Sequence, residues 1–344
     1  MAHAPGDIQV KSRIAIKTES TPGTAVNFGA TDFLTCEGIP QARVISVPDD
    51  TGGIVGSASG DLTPGADVVL AGKHYLEFAF TAKLRRPDAM EGLFIDPLHA
   101  ALQACRLVGT DSGGGAGIYA PTFITANWDA SHVTIATWID NRYWRGVAGL
   151  GNVALRGAAN NAILADFRIL ALCTETLADW CGDCSNLDDL NASHAWVTAA
   201  PTPSANPALK AKGAVTIEGT ARAVPQWALD MNNQIVLPEK TGTGFCGYDI
   251  PYFGNGVAQA PSIGLQYRNV AKSSFDPLAR FLSDNDSEAG DAVVINGSSG
   301  GRTLVLTAPK VMQVAAPNET YIAGHAYWPA AYRVANDDFS LETA

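Results

Sequence analysis

Cys181-Gly182-Asp183-Cys184 is the spacing in this chain most suggestive of chemistry. A Cys-x-x-Cys pair does thiol–disulfide exchange when a helix N-terminus stabilises one thiolate beside its partner. Here the following Ser185-Asn186-Leu187-Asp188-Asp189 is acidic, which raises a thiol pKa, and no apolar helical pattern opens after the pair. Redox chemistry fails on that context. Cys173, Cys181, Cys184 and His194 together could ligate one zinc ion. One Cys pair without a second is a weak metal signature, so no metal and no cofactor is expected. A local loop clamp, or free thiols, is the simpler reading.

Other catalytic spacings are incomplete. Gly56-Ser57-Ala58-Ser59-Gly60 has the outline of a nucleophile elbow but presents Ala58 at its centre. The glycines from 113 to 117 lack the Lys-Ser/Thr that completes a phosphate-binding loop. His3, His74, His99, His132, His194 and His325 show no metal-ligand spacing. Asn191-Ala192-Ser193, Asn296-Gly297-Ser298 and Asn318-Glu319-Thr320 match the glycosylation pattern, uninformative without a secretory signal. No enzyme is expected.

The elements that would position any site are mostly strands. From His74 to Leu84 the even positions Leu76, Phe78, Phe80 and Leu84 are apolar, which predicts a half-buried strand. Val133, Ile135 and Ile139 alternate with Thr134 and Asp140, and Leu304 and Leu306 lie between Thr303 and Thr307. Residues 163–172 are apolar apart from Asp166 and Arg168, which predicts a strand covered on both faces. Two helices stand out. Asp96-Pro97 and Asp276-Pro277 each supply an N-cap and a first-turn proline. Leu98, Ala101, Leu102 and Cys105 form one apolar stripe; Leu278, Phe281 and Leu282 form another.

The two helix starts belong to a wider internal likeness. Residues 11–16 pair with 212–217, Val47–Gly52 with Leu237–Gly242, Asp96–Leu98 with Asp276–Leu278, and Ala158–Asn161 with Ala315–Asn318. The matches are collinear. They predict a mainly β chain of two tandem related sandwich- or barrel-like lobes, each with a flanking helix. The expected division is an N-terminal segment 1–10, a first lobe 11–172, an acidic, proline-rich insertion and linker 173–212, and a second lobe 213–344.

Composition limits the partners. The chain has 344 residues, and only 17% are charged, below the roughly 25% of an average soluble protein. Lys and Arg number 23 against 34 Asp and Glu, a net charge of −11, which argues against a nucleic-acid binder. Few charges suit a surface that meets other protein. Basic residues are missing around Asp49, Asp50, Asp61 and Asp67, from Glu175 to Asp189, and around Asp284, Asp286, Glu288 and Asp291. These read as solvated acidic loops or as a surface that repels a polyanion. No leader and no membrane-spanning run is evident, so folding in the cytoplasm is expected.

Arg13-Ile14-Ala15-Ile16-Lys17-Thr18-Glu19-Ser20-Thr21-Pro22-Gly23-Thr24-Ala25 resembles the N-terminal signature of tail tube (major tail) proteins of long, non-contractile-tailed bacteriophages. Gly92–Leu98 through Gly109 is similar to their strand-then-helix segment, Arg145–Val153 to the start of their mid-chain hairpin, and Leu229–Ile235 to a segment of their second half. Residues 175–207 match nothing in that pattern. The resemblance implies β lobes flanked by a helix, six of which form a ring whose inner strands close into a barrel. Rings stack into the tail tube of the virion, assembled in the host cytoplasm. The lumen holds the tape measure protein and later passes DNA without specific binding. The tube's ends meet terminator and distal tail proteins. Two lobes per chain imply a trimeric ring with pseudo-sixfold symmetry, the alternative being a hexamer. On this reading the acidic residues named above are candidates for the lumen or its loops. The competing readings are another tail component, such as a distal tail or terminator protein, and a carbohydrate-binding β module using Trp128, Trp138, Tyr143 and Trp144.

Overall fold

A computed structural model describes residues 12–47, 73–85, 97–113, 116–121, 132–173, 181–184, 186–202, 207–217, 219–237, 250–254, 260–268, 276–282, 293–299, 302–316, 318–322, 325–335 and 339–343. Strands β1 (Ser12–Thr18), β2 (Phe33–Leu34), β3 (Cys36–Val47) and β4 (Lys73–Lys83) precede helix α1 (Pro97–Gln103). Then come β5 (Leu107–Gly113), β6 (Ala116–Pro121), β7 (Val133–Ile139), β8 (Arg142–Ala158), β9 (Leu164–Cys173), β10 (Cys181–Asp183) and the single-turn α2 (Leu190–Ser193). Strands β11 (Lys210–Ile217), β12 (Thr220–Ala223), β13 (Gln226–Asp230), β14 (Ile235–Val236), β15 (Tyr252–Phe253) and β16 (Ser262–Arg268) lead to α3 (Pro277–Leu282). The chain closes with β17 (Val293–Ser299), β18 (Arg302–Ala308), β19 (Val311–Gln313), β20 (Thr320–Ile322), β21 (His325–Val334) and β22 (Ser340–Thr343).

The fold is mainly β, and all pairings between these strands are antiparallel. A thirteen-stranded sheet has the spine β19-β21-β16-β13-β8-β7-β1-β2, with β9, β4 and β3 branching from β8. A seven-stranded sheet runs β12-β11-β17-β18-β22-β6-β5. Side chains of both sheets share one core, in which Ile14, Phe78, Phe167, Leu265 and Tyr332 of the first meet Val215, Ile295, Leu306 and Leu341 of the second. This is the layering of a β-sandwich.

Pairing before residue 174 and after residue 209 has a partial order in common, continuous through β8 in the first part and divided between the two sheets in the second. Before residue 174, β1 pairs β7, β7 pairs β8, β8 pairs β9 and β10, and β4 lies between β3 and β9. After residue 209, β11 pairs β17, β17 pairs β18, β18 pairs β22, β19 pairs β21, and β16 lies between β13 and β21. A helix follows β4 in the first set and β16 in the second. Both sheets also mix the two parts of the chain: β13 adds to β8, and β22 adds to β6.

Strand β8 is the axis of this arrangement. Its 17 residues include Gly146, Gly149 and Gly151, and the strand continues through all three. The hairpin turn lies earlier, with Asp140 at φ 54°. A Cβ on Gly151 would come within 2.5 Å of the Arg168 carbonyl oxygen, and one on Gly146 within 2.6 Å of Ala171 Cβ. These glycines therefore serve close strand approach rather than turning. Register against β9 shifts between Val147 and Leu150, with Ala148 in the left-handed region at φ 52°. Such a bulge bends a strand. The half of β8 before it pairs β7, and the half after it pairs β13.

Two local expectations are corrected. Strand β9 is not apolar on both faces along its length: Ala165, Phe167, Ile169 and Ala171 enter the core, while Asp166 and Arg168 on the other face make hydrogen bonds and ion pairs. Only at its end are both sides covered, where Leu172 packs with Tyr75, Val147 and Ala148. The stripe of α3 is also unlike that of α1. Leu98 and Leu102 are buried, but Leu278 and Leu282 are exposed, Leu282 by 72%.

Candidate assembly surface

The seam between β8 and β13 joins the two parts of the chain. Its register runs from Gln226 opposite Ala158 to Asp230 opposite Ala154. Beneath it, Trp227 is buried, and a Cβ on Gly157 would run into the Trp227 indole. Beside it, a polar network closes the end of the seam. Asn152 Nδ2 donates to Asp230 Oδ1 (2.8 Å), and the Asn233 amide donates to Asn152 Oδ1 (2.9 Å). Asn233 Nδ2 donates to the carbonyls of Cys105 (2.7 Å) and Gly151 (3.0 Å), tying in the turn after α1. The Asn232 amide donates to Asp230 Oδ1 (2.8 Å), and Asn232 is itself in the left-handed region, which Asn tolerates. Residues 145–153 and 229–235, read in the sequence as separate family-like stretches, therefore meet in one structure.

The face of the large sheet opposite the core is polar on one side of this seam. Glu77, almost fully buried, receives Arg43 Nη2 at 2.9 Å and Arg168 Nη2 at 2.8 Å. Asp166 accepts from Thr81 Oγ1 (2.6 Å) and Arg156 Nε (2.6 Å). Burial pulls the Asp166 carboxyl pKa up, but the hydrogen bonds from Arg156 and Thr81 and the charge of Arg156 outweigh it, leaving a net downward shift. Lys83 reaches Glu37 at 2.7 Å. Beyond the seam the same face carries many small residues beside Gln226 and Gln266. Ala158, Ala228, Gly264, Ala315, Ala316 and Ala331 line an open groove of about 900 Å³.

The N-terminal signature folds around a buried carboxylate. Glu19 accepts from the Gly23 amide (2.7 Å), Thr134 Oγ1 (2.8 Å) and the Ala148 amide (2.9 Å). Burial raises its pKa, opposed by these hydrogen bonds and by His132. Glu19 thus pins the loop after β1 to β7 and to the bulge of β8.

Residues 186–202 lie over a second core. Leu187, Leu190 and Val197 pack with Phe28, Phe33, Trp138 and Tyr143. Trp196 stacks on Trp138 at 5.3 Å between centroids and on His194 at 4.7 Å, with the Arg145 guanidinium 4.6 Å from the Trp196 ring. Trp138 and Tyr143 are consequently buried and offer no open platform to a sugar; Trp128 lies outside the described residues. Burial, then the charge of Arg145, lowers the His194 pKa.

The four thiol and imidazole candidates are split between these cores. Cys173 sits in the main core with Cys181 packed at its margin, whereas Cys184 lies in the aromatic core beside which His194 stacks. Among the described residues no group of three or more His, Cys, Asp or Glu is arranged to hold a metal. Cys181 belongs to an edge strand paired with Trp144, not to a helix N-terminus, and burial raises its pKa, with Asp183 adding to the rise and Arg142 opposing it. Cys36, Cys105, Cys173, Cys181 and Cys184 are free thiols.

Of the helix starts, Asp276 Oδ1 accepts from the amides of Leu278 (3.0 Å) and Ala279 (3.2 Å), and α3 begins at Pro277. Helix α1 begins at Pro97; Asp96 lies outside the described residues. So do Asp49, Asp50, Asp61, Asp67, Asp284, Asp286, Glu288 and Asp291. The sequence reading missed the exposed apolar side chains. Ile39 (50%) and Val44 (38%) stand on β3, and Val314 (48%) follows β19 directly. Their signal was present only as apolar residues in short strands without a clean alternation. No helix among the described residues is long and apolar enough to cross a membrane. The sequence matches no family model and no curated relative.

Proposed function

We propose that this chain is a virion structural protein, a tail tube (major tail) protein of a long, non-contractile-tailed bacteriophage. Two related β lobes, each followed through one pairing plan, form each subunit. Three subunits make a ring of six lobes, and stacked rings make a hollow tube. The tube encloses the tape measure protein, meets terminator and distal tail proteins at its ends, and passes DNA during ejection. The observation that supports this reading is the partly shared order of strand pairing in the two parts of the chain, with one sheet running from β8 into β13. A sheet that continues across a lobe boundary is the unit from which a closed barrel can be built. The opposite face suits a channel wall. Its arginines Arg43, Arg168 and Arg156 are matched by Glu77 and Asp166, and the groove beside them is lined largely by alanine, glycine and uncharged polar residues, so this part of the face offers DNA few charges to grip. The low charged fraction, 17%, fits subunits that bury much of their surface against each other.

Negative-stain microscopy of the purified protein tests the reading. Hollow tubes are the expected result. Single rings that never polymerise point instead to a terminator or distal tail component. Dispersed monomers that bind glycans overturn it.

A further inference from the structure

We propose that Cys173 and Cys181, rather than the Cys181/Cys184 pair, are the thiols that react with each other in this chain: exchange with a low-molecular-weight disulfide joins them into a bond between the end of β9 and the start of β10. The inference does not depend on the tail tube reading. It starts from register. Cys173 closes β9 opposite Gly146, and Cys181 opens β10 opposite Trp144. The other edge of β8 is taken at both positions, because Thr137 pairs with Trp144 and Ile135 with Gly146. Strands β9 and β10 therefore lie end to end along one edge of β8, with their cysteines two positions apart.

Two positions apart means the same face of the sheet. Gly146 faces the main core, since a Cβ there would meet Ala171 Cβ and the Phe78 ring. Cys173 is buried in that core, and Trp144 and Cys181 both pack against it. Cys184 belongs to the opposite face. Gly182 of β10 stands over Tyr143, and Tyr143 and Cys184 share the aromatic core. The sheet thus puts Cys184 on the far side from Cys181, and Cys173 on the same side. Two strand rises span about 6.5–7 Å, the upper end of the roughly 4.4–6.8 Å between the Cα atoms of bridged cysteines. The two residues sit in different strands, so the approach that the bond needs slides one strand end rather than compressing a continuous strand.

Exposure sets the order of steps. Cys181 is half-buried and Cys173 is buried. The Cys181 thiolate attacks one sulfur of the small disulfide, whose sulfur–sulfur bond breaks, and the departing thiolate takes up the proton that Cys181 has lost. The Cys173 thiolate then attacks the Cys181 sulfur of the mixed disulfide and displaces the second small thiol, which takes the Cys173 proton. Two protein thiols are oxidised, and one small disulfide is reduced to two thiols. Burial raises the Cys181 pKa, with Arg142 opposing the rise and Asp183 adding to it, so the exchange is slow at neutral pH and accelerates as pH rises.

Peptide mapping of the full wild-type chain tests this. The protein is incubated with oxidised glutathione, the remaining thiols are alkylated, and a protease that cuts after acidic residues separates the cysteines at Glu175, Asp179 and Asp183. The expected product is the Cys173 peptide joined to the Cys181 peptide, released by dithiothreitol and formed about tenfold faster for each unit of pH below the thiol pKa. Cys184→Ser should leave that product in place, and Cys173→Ala should halt the reaction with glutathione on Cys181. A bond between Cys181 and Cys184, glutathione retained on Cys181 of the wild type, a bond between chains, or no reaction in mildly alkaline buffer overturns the inference.

Discussion

Glu19 and His99 carry the sharpest expectations for single residues. Glu19 is 3% exposed and holds three donors. Glu19→Ala leaves two buried amides and a hydroxyl without an acceptor, a cost of about 3 kcal/mol measured by denaturant unfolding. His99 on α1 is buried against Tyr119, with Nδ1 2.9 Å from the phenol oxygen. Burial lowers its pKa from 6.5 to about 4. The unfolded state thus binds a proton first on acidification. The contribution of His99 is fully present above pH 6.5 and is lost as pH falls through about 4. Melting curves between those values should fall with pH for the wild type and flatten for His99→Gln. Neither role was visible in the sequence. Glu19 lies in a loop whose donors come from positions 23, 134 and 148, and His99 shows only as a residue beside a helix stripe.

At the scale of elements, alternation was informative wherever one face meets a core. Strand β4 places Leu76, Phe78 and Phe80 inside, and Leu84 just past its end is buried too, as the period-two pattern predicts. Strand β8 has no clean alternation to announce it, because its glycines admit Phe78, Ala171 and Ile169 at close range. The seam network was equally hidden, since Asn152, Asp230 and Asn233 are polar residues distant in sequence that satisfy one another only when folded. Gly157→Ala should therefore strain the packing of Trp227 and cost about 1–3 kcal/mol, read as a lower unfolding midpoint. Asn233→Ala removes the donors to Cys105 and Gly151 and should raise hydrogen exchange at the end of β13 and in the turn after α1. Asp276→Ala, by contrast, removes a cap from a short helix with an exposed stripe. It should cost about 1 kcal/mol locally, seen as faster exchange in α3 with little change in global melting.

For the whole molecule, collinear matches between residues 11–161 and 212–318 were the readable trace of repetition, and the strand pairing supplies what short matches cannot. On the proposed two-lobed reading it matches β1, β7, β4 and β9 to β11, β17, β16 and β21 by their neighbours rather than by their letters, while β5 and β6 have no counterpart. Drift in loop length blurs such a repeat in sequence, because only core positions and turns constrain the residues, while pairing order survives. The segment from 186 to 202, which matched nothing, closes the aromatic core around Trp138 and Tyr143. On the reading proposed above, each ring holds three two-lobed chains. Cryo-electron microscopy of the assembled protein tests this most directly. The account predicts a hollow tube of stacked rings, each with three chains and six lobes around the lumen. Rings of six whole chains contradict the two-lobed ring, and dispersed monomers under all assembly conditions contradict the tube itself.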